Sequence, residues 1–437
     1  MRNLNKIGLA VMFALLLSSC QVDRDEPENL KILMNMDDQY YRMLYGGDMF
    51  ESKYPDIEVT YIRDGDYISQ DQNYEANLLK LIEKEKPDII ISFLYANLIE
   101  AGVLKDLSPY IRKDNFDLDA LHPIVIRYLK STSSDNELYG LAPQFSSSAL
   151  YYNRSLFLEN GISIPSEGMT WSEVFALARR IPLQDNNGIE LFGYHNGYSD
   201  LLAYMNAISG NLKQWDTRTN RMTINTESWN NTLQPLISAI QSGHLPYMPP
   251  GSDSQNPKFD GETMFIEGKA AMFVAGPGLI QKLSQAPFEW GILKLPLNSD
   301  HSTTASIAVQ PIYAMYRHAE NENTAWKYIR FMNSDETARA RSLSVSDLMS
   351  RTVYSKERNG VSLEPFQPTD ILPPTPLWQN IKLTPLYYFE HVTPIVNQEL
   401  DDVIQNKQTL DEALQAIQEQ GQAKLNEGLA AVDKGDD

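Results

Sequence analysis

Few residues of this chain have the type and spacing for covalent chemistry. Cys20 is the single cysteine, and the six histidines are scattered. One thiol cannot close an intrachain disulfide, and one thiolate falls short of the three or four protein ligands of a zinc site. There is no Gly-x-Ser-x-Gly elbow and no His-Glu-x-x-His helix, so serine-hydrolase and zinc-protease chemistry have no anchor. In "GETMFIEGKA" Gly261 and Gly268 stand too far apart for a phosphate loop, and Ala270 occupies the magnesium-binding hydroxyl position. The acidic stretches "DNFDLDA" and "DNNGIE" lack calcium-hand spacing and its closing glutamate. Neither a metal nor a cofactor is expected. A glycoside hydrolase stays open, because it needs only two carboxylates among 57 acidic residues.

The position of Cys20 is more informative than its reactivity. Arg2 and Lys6 precede the apolar run "IGLAVMFALLL", 11 residues long. That run is too short to span a bilayer but has the length of a secretory leader core. Leu17, Ser18, Ser19 and Cys20 resemble the bacterial lipobox. The resemblance implies a signal peptide over 1–19, lipidation of Cys20, and a polar tether over 20–29. The chain would then be held at the outer face of the bacterial cell membrane by acyl chains alone, each buried methylene contributing about 0.8 kcal/mol.

Beyond the tether, composition supports a globular body. Hydrophobic residues at 42% and aromatics at 10% suffice for a core, and 437 residues suggest two or more domains. The formal charge of −20 becomes more negative once the leader is removed. A field of that sign repels nucleic acid and anionic lipid headgroups. After Glu28 the pattern alternates. "LKILMNM", "DIEVTYIRD" and "DIIISFLY" read as strands, with helical segments "QYYRMLYGGDMFESKYP" and "NYEANLLKLIEKEKP" between them. The βαβαβ order predicts a parallel sheet whose ligands gather beyond the carboxyl ends of its strands. Those ends fall at Asn35 to Asp38, Arg63 to Asp66 and Ser92 to Tyr95. Thr170 with Glu173, and Thr409 with Glu412, read as capping boxes opening helices.

Several segments, in order, resemble the family-1 extracellular solute-binding proteins of bacterial ABC importers, the maltose-binding class. They are "MFESKYPDIEVTYI", "KPDIIIS" with "LIEAGVLKDLSPYI", "LYGLAPQFSSSALYYNRSLFLENGI", "TMFIEGKAAMFVAGPG", "WGILKLP", "TAWKYIRFMNSDE" and "ELDDVIQNKQTLDEALQAI". The resemblance implies an α/β, two-lobed periplasmic-binding-protein-like fold of class II, with a ligand cleft between the lobes. Carried onto this chain, the N-terminal lobe takes 30–142 and 297–317, and the C-terminal lobe 149–294 and 322–437. Hinge segments are expected near 143–148, 295–296 and 318–321. Pro143 holds its predecessor extended, and Ser146 to Ser148 offer small polar side chains to a cleft.

The resemblance further implies a monomeric, non-enzymatic receptor that hands a carbohydrate, an oligosaccharide or its derivative, to membrane permease subunits. Sugars want planar polar groups and aromatic faces together. On that basis the expected ligand contacts are Asp37, Asp66, Tyr95, Tyr194, His195, Trp290 and Trp378, with Tyr194 and His195 on a cleft-facing loop. Two departures argue against simple maltose. Gly278 stands where the family commonly has a stacking Trp after Gly-Pro, and "FLYANL" replaces a polar, acidic loop after the third strand. An anionic ligand would need cations such as Arg63. The alternatives are an exported glycoside hydrolase and a lipoprotein that presents its ligand to a membrane sensor.

Overall fold

The computed structural model describes residues 28–434 apart from 36, 70–73, 198–200, 250–251, 253–255, 299, 345, 372–382 and 384. The first strand, β1 (Glu28–Met34), buries Leu30, Ile32, Leu33 and Met34. Such a near-continuous apolar run belongs to a strand covered on both faces. It lies parallel to β2 (Ile57–Arg63) and to β3 (Ile89–Ile91). The edge strand β2 leaves Glu58, Thr60 and Arg63 exposed. Between β1 and β2 the expected single amphipathic segment breaks into helices Asp38–Tyr45 and Gly47–Lys53. The break is at Gly46, whose φ of 83° is costly for any residue with a Cβ.

The chain leaves this sheet after β4 (Gly140–Leu141) and crosses through β5 (Gln144–Phe145) into β6 (Ala149–Asn153). A hairpin of β7 (Trp215–Asp216) and β8 (Arg221–Met222) precedes β9 (Met272–Ala275) and β10 (Trp290–Leu293). β6 is the middle strand of an antiparallel sheet ordered β10-β6-β9. Its residues alternate between two cores: Leu150 packs with Trp171, Phe175 and Trp229, whereas Tyr151 packs with Phe265, Phe273 and Phe366. The chain then returns as β11 (Tyr313–Met315), which inserts antiparallel between β3 and β4 to complete the order β2-β1-β3-β11-β4. Two α/β lobes joined by crossing strands result, as the family resemblance implies.

The lobe boundaries differ from expectation at two places. Residue 297, expected to open the return into the first lobe, is tied to the second. Leu297 exchanges backbone hydrogen bonds with Met169 and Trp171 at 2.9 Å each. The chain meets the outgoing crossover only at Ala308, which pairs with Ser146 at 2.8 and 3.0 Å. The larger correction concerns 322–437. Helix Glu322–Met332 packs Ala325, Trp326, Ile329 and Met332 into the core of the first sheet. Trp326 Nε1 and Arg330 Nη1 both donate to Asp114 Oδ2, at 2.8 and 2.9 Å. Helix Asp335–Arg341 comes next, with Lys53 paired to Glu336. The physical reason is β11, which delivers the chain onto the first sheet and leaves the next apolar helix face nowhere nearer to pack.

Segment 318–321 is consequently no hinge. Asp88 fastens it: its Oδ1 accepts from Asn321 N–H and its Oδ2 from Lys31 N–H, both at 2.9 Å. After β12 (Leu348–Met349), which pairs with β5, come the hairpin strands β13 (Glu357–Arg358) and β14 (Val361–Ser362). Helices Thr393–Ile404 and Leu410–Lys434 then pack against helix Glu227–Gln241 in the second lobe.

Candidate functional site: the interlobe cleft

The crossover is short, extended and polar, and its hydrogen bonds go sideways into the chain near β12. Ser350 N–H donates to Pro143 O at 2.8 Å. Gln144 Nε2 and Ser146 Oγ donate to the two oxygens of Asp347, each at 2.8 Å. Arg341, buried in the first lobe, donates to Gln144 Oε1, with its guanidinium over the Tyr45 ring. Arg358 clamps the loop before β12 by donating to Ser346 O and Asp347 O, at 2.8 Å each. A carboxylate and two guanidiniums thus fix the crossover relative to the first lobe, and charge-assisted bonds of this kind hold geometry well.

Around this crossover opens a cavity of about 1060 Å³. Its floor is Ser146 to Ser148. One wall comes from the first lobe, in 342–344, 346–347, 353–354 and 356–359, and the other from the second lobe, in Glu262, 275–279 and 281–282. A neighbouring cavity of about 550 Å³ shares Ser147 and Ser148 and adds Lys294, His301, Thr303 and Asp370. Hydroxyl-bearing and charged residues make up most of the lining of the larger cavity. Lys282 is paired with Glu262, and Tyr151 Oη donates to Gly276 O at 2.9 Å, fixing the loop after β9. Apolar surface comes from Leu343 and Val353, which are 88% and 57% exposed.

A profile of bacterial extracellular solute-binding proteins matches residues 35–339. The chain belongs to this family. It is 22% identical over 403 residues to the sn-glycerol-3-phosphate-binding periplasmic protein of Agrobacterium fabrum, covering 86% of this chain and 88% of that one. It is 24% identical over 245 residues to the galactooligosaccharide-binding protein of Bacillus subtilis, covering 56% and 55%. In fold it is similar to an ABC substrate-binding protein of Listeria monocytogenes solved with cycloalternan. That match has a TM-score of 0.60 and 19% identity over 92% of this chain and 99% of the other.

In this solute-binding protein the expected contact residues scatter. Asp37 and Asp66 do come together at the carboxyl ends of β1 and β2, joined by Arg63. Its Nη1 donates to Asp37 Oδ2 at 3.3 Å and its Nε to Asp66 Oδ1 at 3.0 Å. All three are exposed, but none lines the two cavities at the crossover. Tyr95 is 5% exposed and borders a separate cavity in the first lobe. Trp290 is half-buried on β10, its ring 6.1 Å from that of Tyr151. Trp378 and Cys20 lie outside the described residues.

Tyr194 and His195 are core residues, and this is a correction. Tyr194 is 1% exposed, with its ring 5.5 Å from Trp171 and 5.8 Å from Phe175. His195 is fully buried. Its Nδ1 accepts from Gly197 N–H at 3.2 Å, so Nε2 carries the proton and donates to Lys258 O at 3.1 Å. Burial pushes its pKa down to about 4, which makes it a neutral packing group. The segment expected as a loop instead runs alongside β9, with bridges from Phe192 to Ala270 and from His195 to Phe273. Enclosed on every side, the two side chains are packed away from the cleft.

The missed residues are those of the first-lobe wall, Ser344, Ser346, Asp347, Lys356 and Arg358. The stretch "SLSVSDLMSRTVYSKERNG" does carry a signal, being rich in serine and basic residues. Nothing local in it says that it faces the crossover.

Proposed function

We propose that this protein is the substrate-capturing subunit of an ABC importer and that it holds a carbohydrate, an oligosaccharide or derivative, in the cleft at Ser146 to Ser148. The observation that carries this reading is the cavity of about 1060 Å³ with walls from both lobes. A ligand drives lobe closure only if it contacts both walls at once. The six serines of this cavity suit a ligand covered in hydroxyls, and Leu343 and Val353 offer apolar surface to sugar-ring faces. Relatives named for galactooligosaccharide and for cycloalternan support that ligand class.

In this reading the first lobe comprises about 28–142 and 308–371, and the second about 149–297 and 385–434. The protein would act as a monomer at the outer face of the membrane, anchored through lipid on Cys20, and deliver its ligand to permease subunits. Asp37, Arg63 and Asp66 would form the outer lip of the first lobe. Hydrogen bonding and apolar contact would supply the affinity, with no covalent step.

Thermal unfolding of the purified protein against oligosaccharides, sugar acids, peptides and metal salts tests the reading. Ligand at 100 times its dissociation constant adds about 2.7 kcal/mol, a shift of a few degrees for a chain this size. A saturable shift with one glycan class, and no product formed, is expected. A shift with peptide or metal alone would overturn the carbohydrate assignment, and hydrolysis of the glycan would overturn the receptor.

A further inference from the structure

A third cavity, of about 480 Å³, lies within the first lobe and shares no lining residue with the two at the crossover. It opens between the segment after β3, the C-terminal end of helix Pro123–Ser131, and the residues leading into β11. Phe93, Tyr128 and Tyr139 present rings to it, and Glu100 and Asp135 present carboxylates; no Lys, Arg or His lines it. Its volume is in the range of small-molecule sites.

The hydroxyl protons at the helix end and on Tyr139 are already committed, while Tyr95 Oη is buried without a hydrogen-bond partner. Ser131 Oγ donates to Tyr128 O at 2.8 Å, Thr132 Oγ1 to Leu129 O at 2.7 Å, and Ser133 Oγ to Lys130 O at 3.1 Å. Tyr139 Oη donates to Asp135 at 2.7 Å. What these groups can still offer is lone pairs. Asn97, only 4% exposed, spends its Nδ2 on Glu75 at 3.0 Å, and its buried Oδ1 has no hydrogen-bond partner. A buried acceptor left in that state is costly, which marks a place for a donor. The carbonyl end of helix Pro123–Ser131 adds the negative end of a helix dipole on the same side.

Acceptors, carboxylates, a negative helix end and aromatic rings, with no cation in the lining, call for a positively charged donor. An anion would be repelled, and a neutral sugar would leave the carboxylates of Glu100 and Asp135 without a countercharge. No group of three or more metal-ligating side chains occurs among the described residues, so a bare metal ion lacks a ligand set. We propose that this cavity is a second binding site, taking the head of a small organic ammonium ion, with N–H donation to the acceptors and the charge over the rings.

Calorimetric titration of the purified protein with n-butylammonium, and with isosteric n-butanol and glucose as controls, tests the site. Saturable binding of butylammonium alone is expected, weakened about tenfold or more in the double variant Glu100→Gln, Asp135→Asn. Both positions are exposed, and an unchanged thermal midpoint of the unliganded variant would show that it folds. The same variant should keep any glycan-induced shift, whereas Ser147→Trp in the cleft should lose the glycan shift and keep butylammonium. Equal binding of butanol, binding of glucose instead, or indifference to the double variant would overturn the proposal without touching the cleft reading.

Discussion

Gly278 stands against Ser346 across the cleft: a Cβ at position 278 would lie 2.8 Å from the Ser346 Cβ. The backbone of Gly278 is right-handed helical, with φ −60°, so conformation alone would admit any residue. Space is what forbids it. The loop after β9 and the loop before β12 approach so closely that the Trp expected at this position from the family pattern has no room here.

Gly278→Trp should therefore push the two walls apart. The expected outcome is a loss of glycan affinity of about tenfold or more, equivalent to about 1.4 kcal/mol. Because the contact is between loops at an opening, the unfolding midpoint of the unliganded protein should move little. Titration calorimetry and thermal unfolding together check this, and tighter binding in the variant would show that the indole rebuilds a platform.

Asp88 is 2% exposed and joins β1, β3 and the segment before helix Glu322–Met332 through the backbone donors of Lys31 and Asn321. Asp88→Ala leaves two N–H groups without their acceptor, at about 1–3 kcal/mol each for a buried group. Urea unfolding should show a loss in that range or larger. Asp88→Asn, which keeps one acceptor oxygen, should lose less.

His195 makes stability depend on pH in a stated direction. Burial holds its folded pKa at about 4, below the ordinary 6.5 it regains on unfolding. The unfolded chain therefore takes up a proton that the folded chain refuses. The contribution is complete above about pH 6.5 and falls away as the pH drops toward 4, by about 3 kcal/mol in total. His195→Gln should be less stable at neutral pH and flatter between these limits. His122 and His244, also held low by burial, remain in both proteins, so the difference between the two curves isolates His195.

Cys20→Ser tests the proposed anchor. The variant should leave the membrane fraction and lose incorporation of labelled fatty acid, while the glycan-induced thermal shift persists. Retention at the membrane with no label would point to another attachment.

Much of the fold was legible in the chain because the signals were local. The buried run of β1, the helix Tyr74–Glu85 and the triple isoleucine of β3 follow from hydrophobic periodicity. The capping boxes formed as read: Thr170 N–H donates to Glu173 Oε2 at 2.8 Å and Thr409 N–H to Glu412 Oε2 at 2.9 Å. Ser146 to Ser148 were legible too, as small polar residues beside a proline.

Other features waited for the tertiary structure. Periodicity shows that helix Glu322–Met332 has an apolar face but not which lobe covers it; the insertion of β11 beside β3 decided that. Tyr194 and His195 carry polar atoms suited to a sugar, yet pairing beside β9 turned both into core. The wall residues Ser346 and Asp347 reach the cleft because Asp347 ties them to a crossover some 200 residues earlier in the chain, while Arg358 braces their carbonyls. A residue's type and spacing set what it can do, while contacts between distant segments, each competing for the same buried surface, set where it does it.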